Sequence, residues 1–406
     1  MRSLISFPLR APIAVFLAGL AAAVHIGKIP PAIAVLRDAL GVSLVEAGFL
    51  LSAVQLAGML LGVLVGALAD GFGLRRSMLH GLGVLCVASV AGAWARHPAE
   101  LLALRALEGL GFLCVVLPAP SLMRQLVPTA KLPTFMGLWG AYMPAGVALA
   151  LLAGPVIMAL WNWQTWWGLL GVLAGCAGLW LAVAVSPDAQ RATEPRPRSD
   201  SPSPAIVILA RRLRLTLASQ GPWVVAVAFG MYSCQWLAVI GFLPSIYVQA
   251  GVSGVAAGAL TALACAANVV GNLGAGGLMR AGWRTHSLLS LGFGGTALAT
   301  VAAFSPLAGD GPILRFAAVV AFSAVGGMIP ATLFALAVRV APSEHTVSTT
   351  MGWVQQCSAC GQFLGPPLVA WVAGLAGGWH FTWAVTGVAS VVGLGLSWWV
   401  RRLRPA

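Results

Sequence analysis

Gly66-Ala-Leu-Ala-Asp70-Gly-Phe-Gly73-Leu-Arg75-Arg76 packs one acid, two arginines and turn-forming glycines into a short stretch between two long apolar runs. Glycine has no Cβ and permits a tight backbone reversal, while paired arginines mark the side of a bilayer that collects positive charge. The stretch reads as a charged hinge between two membrane-crossing helices. Composition carries the same message outward: the 406 residues are 59% hydrophobic and 8% charged, with a mean hydropathy of +0.92. Soluble domains carry roughly 25% charged residues, so an ordinary soluble protein is excluded. A strand barrel is excluded too, because the apolar runs are continuous rather than alternating.

The runs predict twelve spans, near 11–35, 45–69, 77–95, 101–123, 133–159, 165–186, 222–248, 254–279, 286–306, 313–337, 346–373 and 380–400. The net charge of +13 resides in small basic groups between these runs, a topological pattern rather than a nucleic-acid-binding face. With the N-terminus inside, 18 basic residues fall in cytoplasmic segments, and only Arg37, Arg96 and Arg315 at outer ends. Both termini are therefore expected in the cytoplasm, and the chain in a bacterial inner membrane. Trp161, Trp163, Trp166 and Trp167 at an outer boundary, and Trp398 and Trp399 at an inner one, are expected to be interfacial anchors. The seven cysteines lie within apolar runs and read as packing residues, Cys357 and Cys360 included.

Residues 187–204 are polar and proline-rich, and Ala205 to Ala218 is basic and leucine-rich, which predicts a helix lying on the inner leaflet. This divides the chain into a six-helix half at 1–186, a cytoplasmic linker at 187–221 and a second six-helix half at 222–406. The halves repeat one another. Ile29-Pro30, Gly41-Val42-Ser43 and Ala47-Gly48 return as Leu243-Pro244, Gly251-Val252-Ser253 and Ala257-Gly258. Arg105 returns as Arg315, Met136-Gly137 with Gly146 as Met351-Gly352 with Gly361, and the hinge as Gly277, Arg280, Gly282 and Arg284 without its acid. The expected fold is an all-α polytopic membrane protein of two parallel six-helix repeats.

Gly66, Asp70, Gly73, Arg75 and Arg76 match the loop signature between the second and third helices of the major facilitator superfamily of secondary transporters, which the whole chain resembles. Gly71 stands where that family usually has a basic residue. Leu101, Arg105, Glu108-Gly109 and Gly111 resemble the family's fourth-helix signature, in which the arginine is linked to proton transfer and glutamine is commoner at the position of Glu108. Lys28-Ile-Pro-Pro31, Met136-Gly-Leu-Trp139 and the Trp-rich turn before span six are similar to its cyanate and nitroimidazole permease branch. The resemblance implies alternating access, a central cavity lined by spans one, four and seven, and a cytoplasmic gating role for the hinge.

Ionisable groups at membrane depth are costly and therefore candidates for function. Four qualify: His25 and Lys28 in span one, Arg105 and Glu108 in span four, each pair three residues apart on one helix face. They are expected to form one cluster that binds substrate or carries a proton, the opposing reading being an ion pair that only fixes packing. Gln235 and Trp236 in span seven are the candidates of the second half; interhelical hydrogen bonding is their plainer role. Asn268, Asn272, Gln355, Gln356 and Gln362 read the same way. No nucleophile with a positioned base, metal cluster or nucleotide fingerprint is present in the sequence, so no enzyme activity, metal or cofactor is expected. The expected function is secondary transport of a small solute, an anion or a small polar ring, coupled to protons. Proton-antiport efflux of drugs or metabolites and a transport-silent receptor or scaffold in the same fold are the alternatives. The expected partners are a small-molecule substrate and membrane lipid, with no nucleic acid, and the chain is expected to act as a monomer.

Overall fold

The computed structural model describes residues 9–128, 135, 139, 142–187, 205–306, 312–343 and 346–402, except for the side chains of 65–72, 205, 206, 208, 209 and 348. Every regular element among them is helical. Span one is Arg10–Gly27 and Ile33–Leu40, joined by a tight turn at Pro30–Ala32; span two is Leu44–Ser52 and Leu56–Phe72, joined by a tight turn at Ala53–Gln55. Span three is Leu74–Gly92, span four Pro98–Val116 with Ala119–Leu126, span five is described over Tyr142–Leu160, and span six is Trp163–Ala184. The basic helix forms at Ala205–Ala218, as its sequence predicts. Spans seven to twelve are Gln220–Gln249, Gly254–Arg280, Thr285–Phe304, Pro312–Gly326 with Met328–Val340, Val347–Ala376, and Thr382–Val400. Among the described residues, eleven segments are long and apolar enough to cross a membrane. Span three is the exception, because Arg75, Arg76 and His80 in its first turns lower its hydropathy.

The repeat seen in the sequence has a conformational counterpart. Gly41 and Gly251 both end a helix with positive φ, 66° and 85°, a region that costs a residue with a Cβ about 1–2 kcal/mol. Ser43 and Ser253 then start the next helices, each hydroxyl accepting a backbone N–H, from Glu46 at 3.2 Å and Ala256 at 3.3 Å. Glycines at the hinges repeat as well: φ is 107° at Gly73 and 87° at Gly282. Arg315 departs from the pattern. It sits half-buried in the first turn of span ten, whereas Arg105 lies deep in span four. Met136 and Gly137 lie outside the described residues.

Close packing follows the same symmetry. Gly146 lets span five settle on Leu20 and Ala23 of span one, and Gly361 lets span eleven settle on Gly230 and Cys234 of span seven. Across the halves, Gly48 of span two faces Pro366 and Pro367 of span eleven, and Gly258 of span eight faces Leu151 and Pro155 of span five. Both contacts lie one turn from the end of the molecule opposite the basic residues, hereafter the far end. There one apolar cluster draws on both halves, with Ile29, Ile33 and Leu51 against Ala238, Phe242 and Val369. Near the basic end, Val225, Phe229, Leu333 and Val354 form a cluster with no member from the first half among the described residues. Among the described residues the tighter glycine contacts across the halves are at the far end, and at mid-depth Gln55 donates to Gln362 at 3.1 Å across the halves.

Tryptophan placement corrects one expectation. Trp161 is exposed, but Trp163, Trp166 and Trp167 are buried in the far-end core rather than anchored at an interface. The start of span six faces spans one and three at this point, so its indoles fill protein interior. Trp398 and Trp399 are half-exposed as expected, and Arg402 stacks on the Trp398 ring at 3.8 Å.

Candidate functional site

The prolines of span one create the site's first feature. Pro30 and Pro31 have no N–H, so the carbonyls four residues before them lose their helical donors. The Ala32 N–H turns to Ile29 O at 2.8 Å, which leaves the Lys28 carbonyl free, and it accepts the Trp166 indole N–H at 3.3 Å. One turn earlier, the His25 carbonyl accepts Arg105 Nη1 at 2.7 Å. Span two has a matching irregularity, since its helix tightens after Ser52, and there Arg105 Nε donates to Leu50 O at 3.2 Å. Arg105 therefore ties together three spans through carbonyls beside two helix breaks. Glycines make this approach possible: a Cβ at Gly109 would strike Val54 of span two, and one at Gly111 would meet the Gly81 carbonyl of span three at 2.7 Å.

All four ionisable candidates meet inside this frame. Glu108 accepts a hydrogen bond from Lys28 Nζ on Oε1 and one from Arg105 Nη1 on Oε2 at 2.7 Å, while His25 Nδ1 lies 3.5 Å from Oε1. Lys28 also donates to Ser89 Oγ at 3.1 Å, and the Ser89 hydroxyl in turn donates to the Trp167 carbonyl at 2.9 Å. The ammonium stands 4.7 Å from the centroid of the Trp167 ring. No member of the cluster is more than 1% exposed. The cluster therefore lies within the first half, among spans one, two, three, four and six. The family resemblance had suggested a cavity-lining position.

Two cations share one carboxylate here, and no further acid among the described residues reaches them. Arg105 Nη2 and both His25 ring nitrogens have no hydrogen-bond partner. In a low-dielectric interior such an imbalance favours either an added anion or the loss of a proton.

Gln235 and Trp236 separate in space. Gln235 Oε1 accepts from Ser390 of span twelve at 3.1 Å, which turns the amide into the second half, away from the cluster. Trp236 lies where three apolar clusters converge, and its indole N–H has no partner. Of the remaining amides, Asn268 donates to Tyr232 OH and Ser323 O at 2.9 and 3.0 Å, Gln356 donates to Met59 O at 2.8 Å and Gln362 accepts from Gln55, all between helices, whereas Asn272 donates to Asn268 within its own helix and Gln355 is exposed. At the hinge, Gly73 has its positive φ, Arg75 Nη2 donates to Ala182 O of span six at 2.7 Å, and Arg76 is exposed. The side chains of Gly66, Asp70 and Gly71 lie outside the described residues. Ser89, Trp166 and Trp167 are the site residues that the sequence did not announce. A serine in an apolar run carries no mark of its partner 61 residues away.

A family model described as Major Facilitator Superfamily matches residues 13–355. Among curated relatives, an uncharacterised MFS-type transporter of Mycobacterium tuberculosis is 28% identical over 125 residues, 31% of this chain and 21% of the relative. A multidrug transporter of Candida glabrata is 26% identical over 127 residues, again 31% and 21% of the two chains. Quinidine resistance protein 1 of Saccharomyces cerevisiae is 26% identical over 128 residues, 32% of this chain and 23% of that one. The match thus spans about a fifth of each relative's length. Of solved structures, a bacterial homolog of the human lysosomal transporter Spinster, inward-facing and unoccupied, superposes with a TM-score of 0.83 at 14% identity over 100% of both chains. A D-xylose–proton symporter superposes with a TM-score of 0.77 at 16% identity over 97% of this chain and 98% of that one. At these identities the likeness is one of fold.

Proposed function

The chain belongs to the major facilitator superfamily, and from that premise we propose that it moves a small anion or small polar ring compound across the membrane by proton-coupled alternating access. The observation that carries this reading is the sealed cluster in which Lys28 and Arg105 share Glu108 beside His25. A buried site with more cations than anions gains by releasing a proton or by receiving negative charge, which is what coupling to a weak acid or anion requires. The two halves, 1–186 and 222–406, rock about the linker at 187–221, with both termini cytoplasmic, and the monomer is the working unit. The far-end seam, with its glycine and proline contacts, suits a state accessible from the cytoplasm.

Purified chain would be screened by thermal shift with benzoate, cyanate and imidazole, since a bound ligand raises apparent stability. The ligand that stabilises is then followed into liposomes. Glu108→Gln should abolish uptake driven by a pH gradient while substrate exchange without a gradient persists. Glu108→Asp, which keeps the charge, should retain part of the driven uptake. Driven uptake in Glu108→Gln equal to that of the parent would defeat the coupling role.

Efflux of drugs is a second reading, favoured by the names of two relatives that match over a fifth of their length. Ethidium extruded against its gradient, with none of the three probes transported, would establish it instead.

A further inference from the structure

Between spans three and six, a cavity of about 530 Å³ opens at the far end, lined by Val90, Ala93, Arg96, Gln164, Thr165 and Gly168 among others. Its lining residues neighbour, along spans three and six, the side chains that touch the buried cluster. Ala93 is one helical turn beyond Ser89 on the same face of span three, roughly 5.4 Å along the axis. Gln164 is one turn before Trp167 on span six, and Gly168 is its neighbour. Behind them, Lys28 Nζ donates to Ser89, and the Trp167 indole is pressed between Gly92, whose Cβ position is 2.8 Å from Cδ1, and the Lys28 ammonium. One hydroxyl and one indole thus stand between this vestibule and the cluster.

We infer that Lys28 is the group that exchanges the coupled proton, and that it does so through this vestibule, by a route separate from the substrate path. The inference rests on the proton-coupled reading above. Charge counting selects Lys28: its loss of a proton leaves Arg105 and Glu108 as a balanced pair, whereas protonating Glu108 would leave two cations without a counter-ion. Arg105 keeps its proton at any accessible pH. The groups facing Lys28 are Glu108 and Arg105 from span four, His25 from its own span, Ser89 from span three, and the ring of Trp167 from span six. In the release step, the Ser89 hydroxyl first turns from the Trp167 carbonyl to a vestibule water; the ammonium then gives one proton to Ser89 Oγ while the serine gives its own to that water, leaving a neutral amine and a hydronium ion. Uptake is the reverse. Arg96 is the sole charged residue among those lining the vestibule, and it stands at the rim.

The chain contains only two lysines, Lys28 and Lys131, so full-length protein carrying 15N at the lysine side chains gives two Nζ signals, assigned with Lys131→Arg. Lys28 should convert between ammonium and amine forms while the protein stays folded. Gly168→Trp, at a position whose Cβ meets open space, fills the vestibule and should slow solvent exchange of the Lys28 Nζ protons about tenfold, the effect of roughly 1.4 kcal/mol on the barrier. Ser89→Ala should slow it comparably. Unchanged exchange in both variants overturns the route. A Lys28 that stays ammonium while pH-driven uptake proceeds overturns its role and leaves the proton-coupled reading standing. Absence of any pH-driven uptake in the parent defeats that reading itself.

Discussion

At the scale of single residues, the two functions of Arg105 and the shared carboxylate of Glu108 give separable consequences. Arg105 fills two carbonyls left unpaired beside helix breaks, and an unpaired buried carbonyl costs about 1–3 kcal/mol. Arg105→Met should therefore lower thermal stability through those carbonyls, although Lys28 and Glu108 remain a balanced pair. Glu108→Gln leaves two buried cations without a counter-ion, a loss of about 3–5 kcal/mol. Lys28→Met removes the surplus charge and should be the mildest of the three. Unfolding temperatures of the purified variants in one detergent test this order. A Lys28→Met as damaging as Glu108→Gln would mean that the charge count is wrong. His25 and Lys28 could be paired with Arg105 and Glu108 from the sequence because membrane depth makes every ionisable group conspicuous. Ser89 and Trp167 could not, because serine and tryptophan are ordinary in apolar runs.

Helices meet where glycine removes the obstacle, and the far-end seam is the clearest case. Gly258 packs on Leu151 and Pro155 just as Gly48 packs on Pro366 and Pro367, so any larger side chain must push spans five and eight apart at one end. Gly258→Leu should shift the population toward the far-end-open state, because overpacking a tight contact costs about 1–3 kcal/mol that opening relieves. Spin labels at Val255 and Trp161, both exposed, would report a longer distance in the variant. An unchanged distance with a lowered unfolding temperature would assign the glycine to packing alone. The Ala-Gly pairs were legible as a repeat in the sequence, but their partners were not, since proline in a span says only that the helix is irregular.

For the whole molecule, charge gives the expected orientation and packing the conformation. Arg75, Arg76, Arg124, Arg280, Arg284, Arg339, Arg401 and Arg402 all fall at one end of the bundle, which the positive-inside rule assigns to the cytoplasm. Alkaline phosphatase fused after Arg402 should be inactive, and green fluorescent protein fused there bright; the reverse would invert the topology. The sequence by itself determined the helical class, the spans, the duplicated architecture and the four charged candidates. Hydropathy, glycine and proline placement and the expense of intramembrane charge are local properties, and they survive without coordinates. Tertiary structure alone decided that Lys28 and Arg105 share one carboxylate, that Trp163, Trp166 and Trp167 are core rather than anchors, and that the hinge arginine Arg75 reaches Ala182. The physical reason is that in lipid both faces of a span are apolar. Nothing in the sequence then says which face meets protein, and only packing can choose the partner.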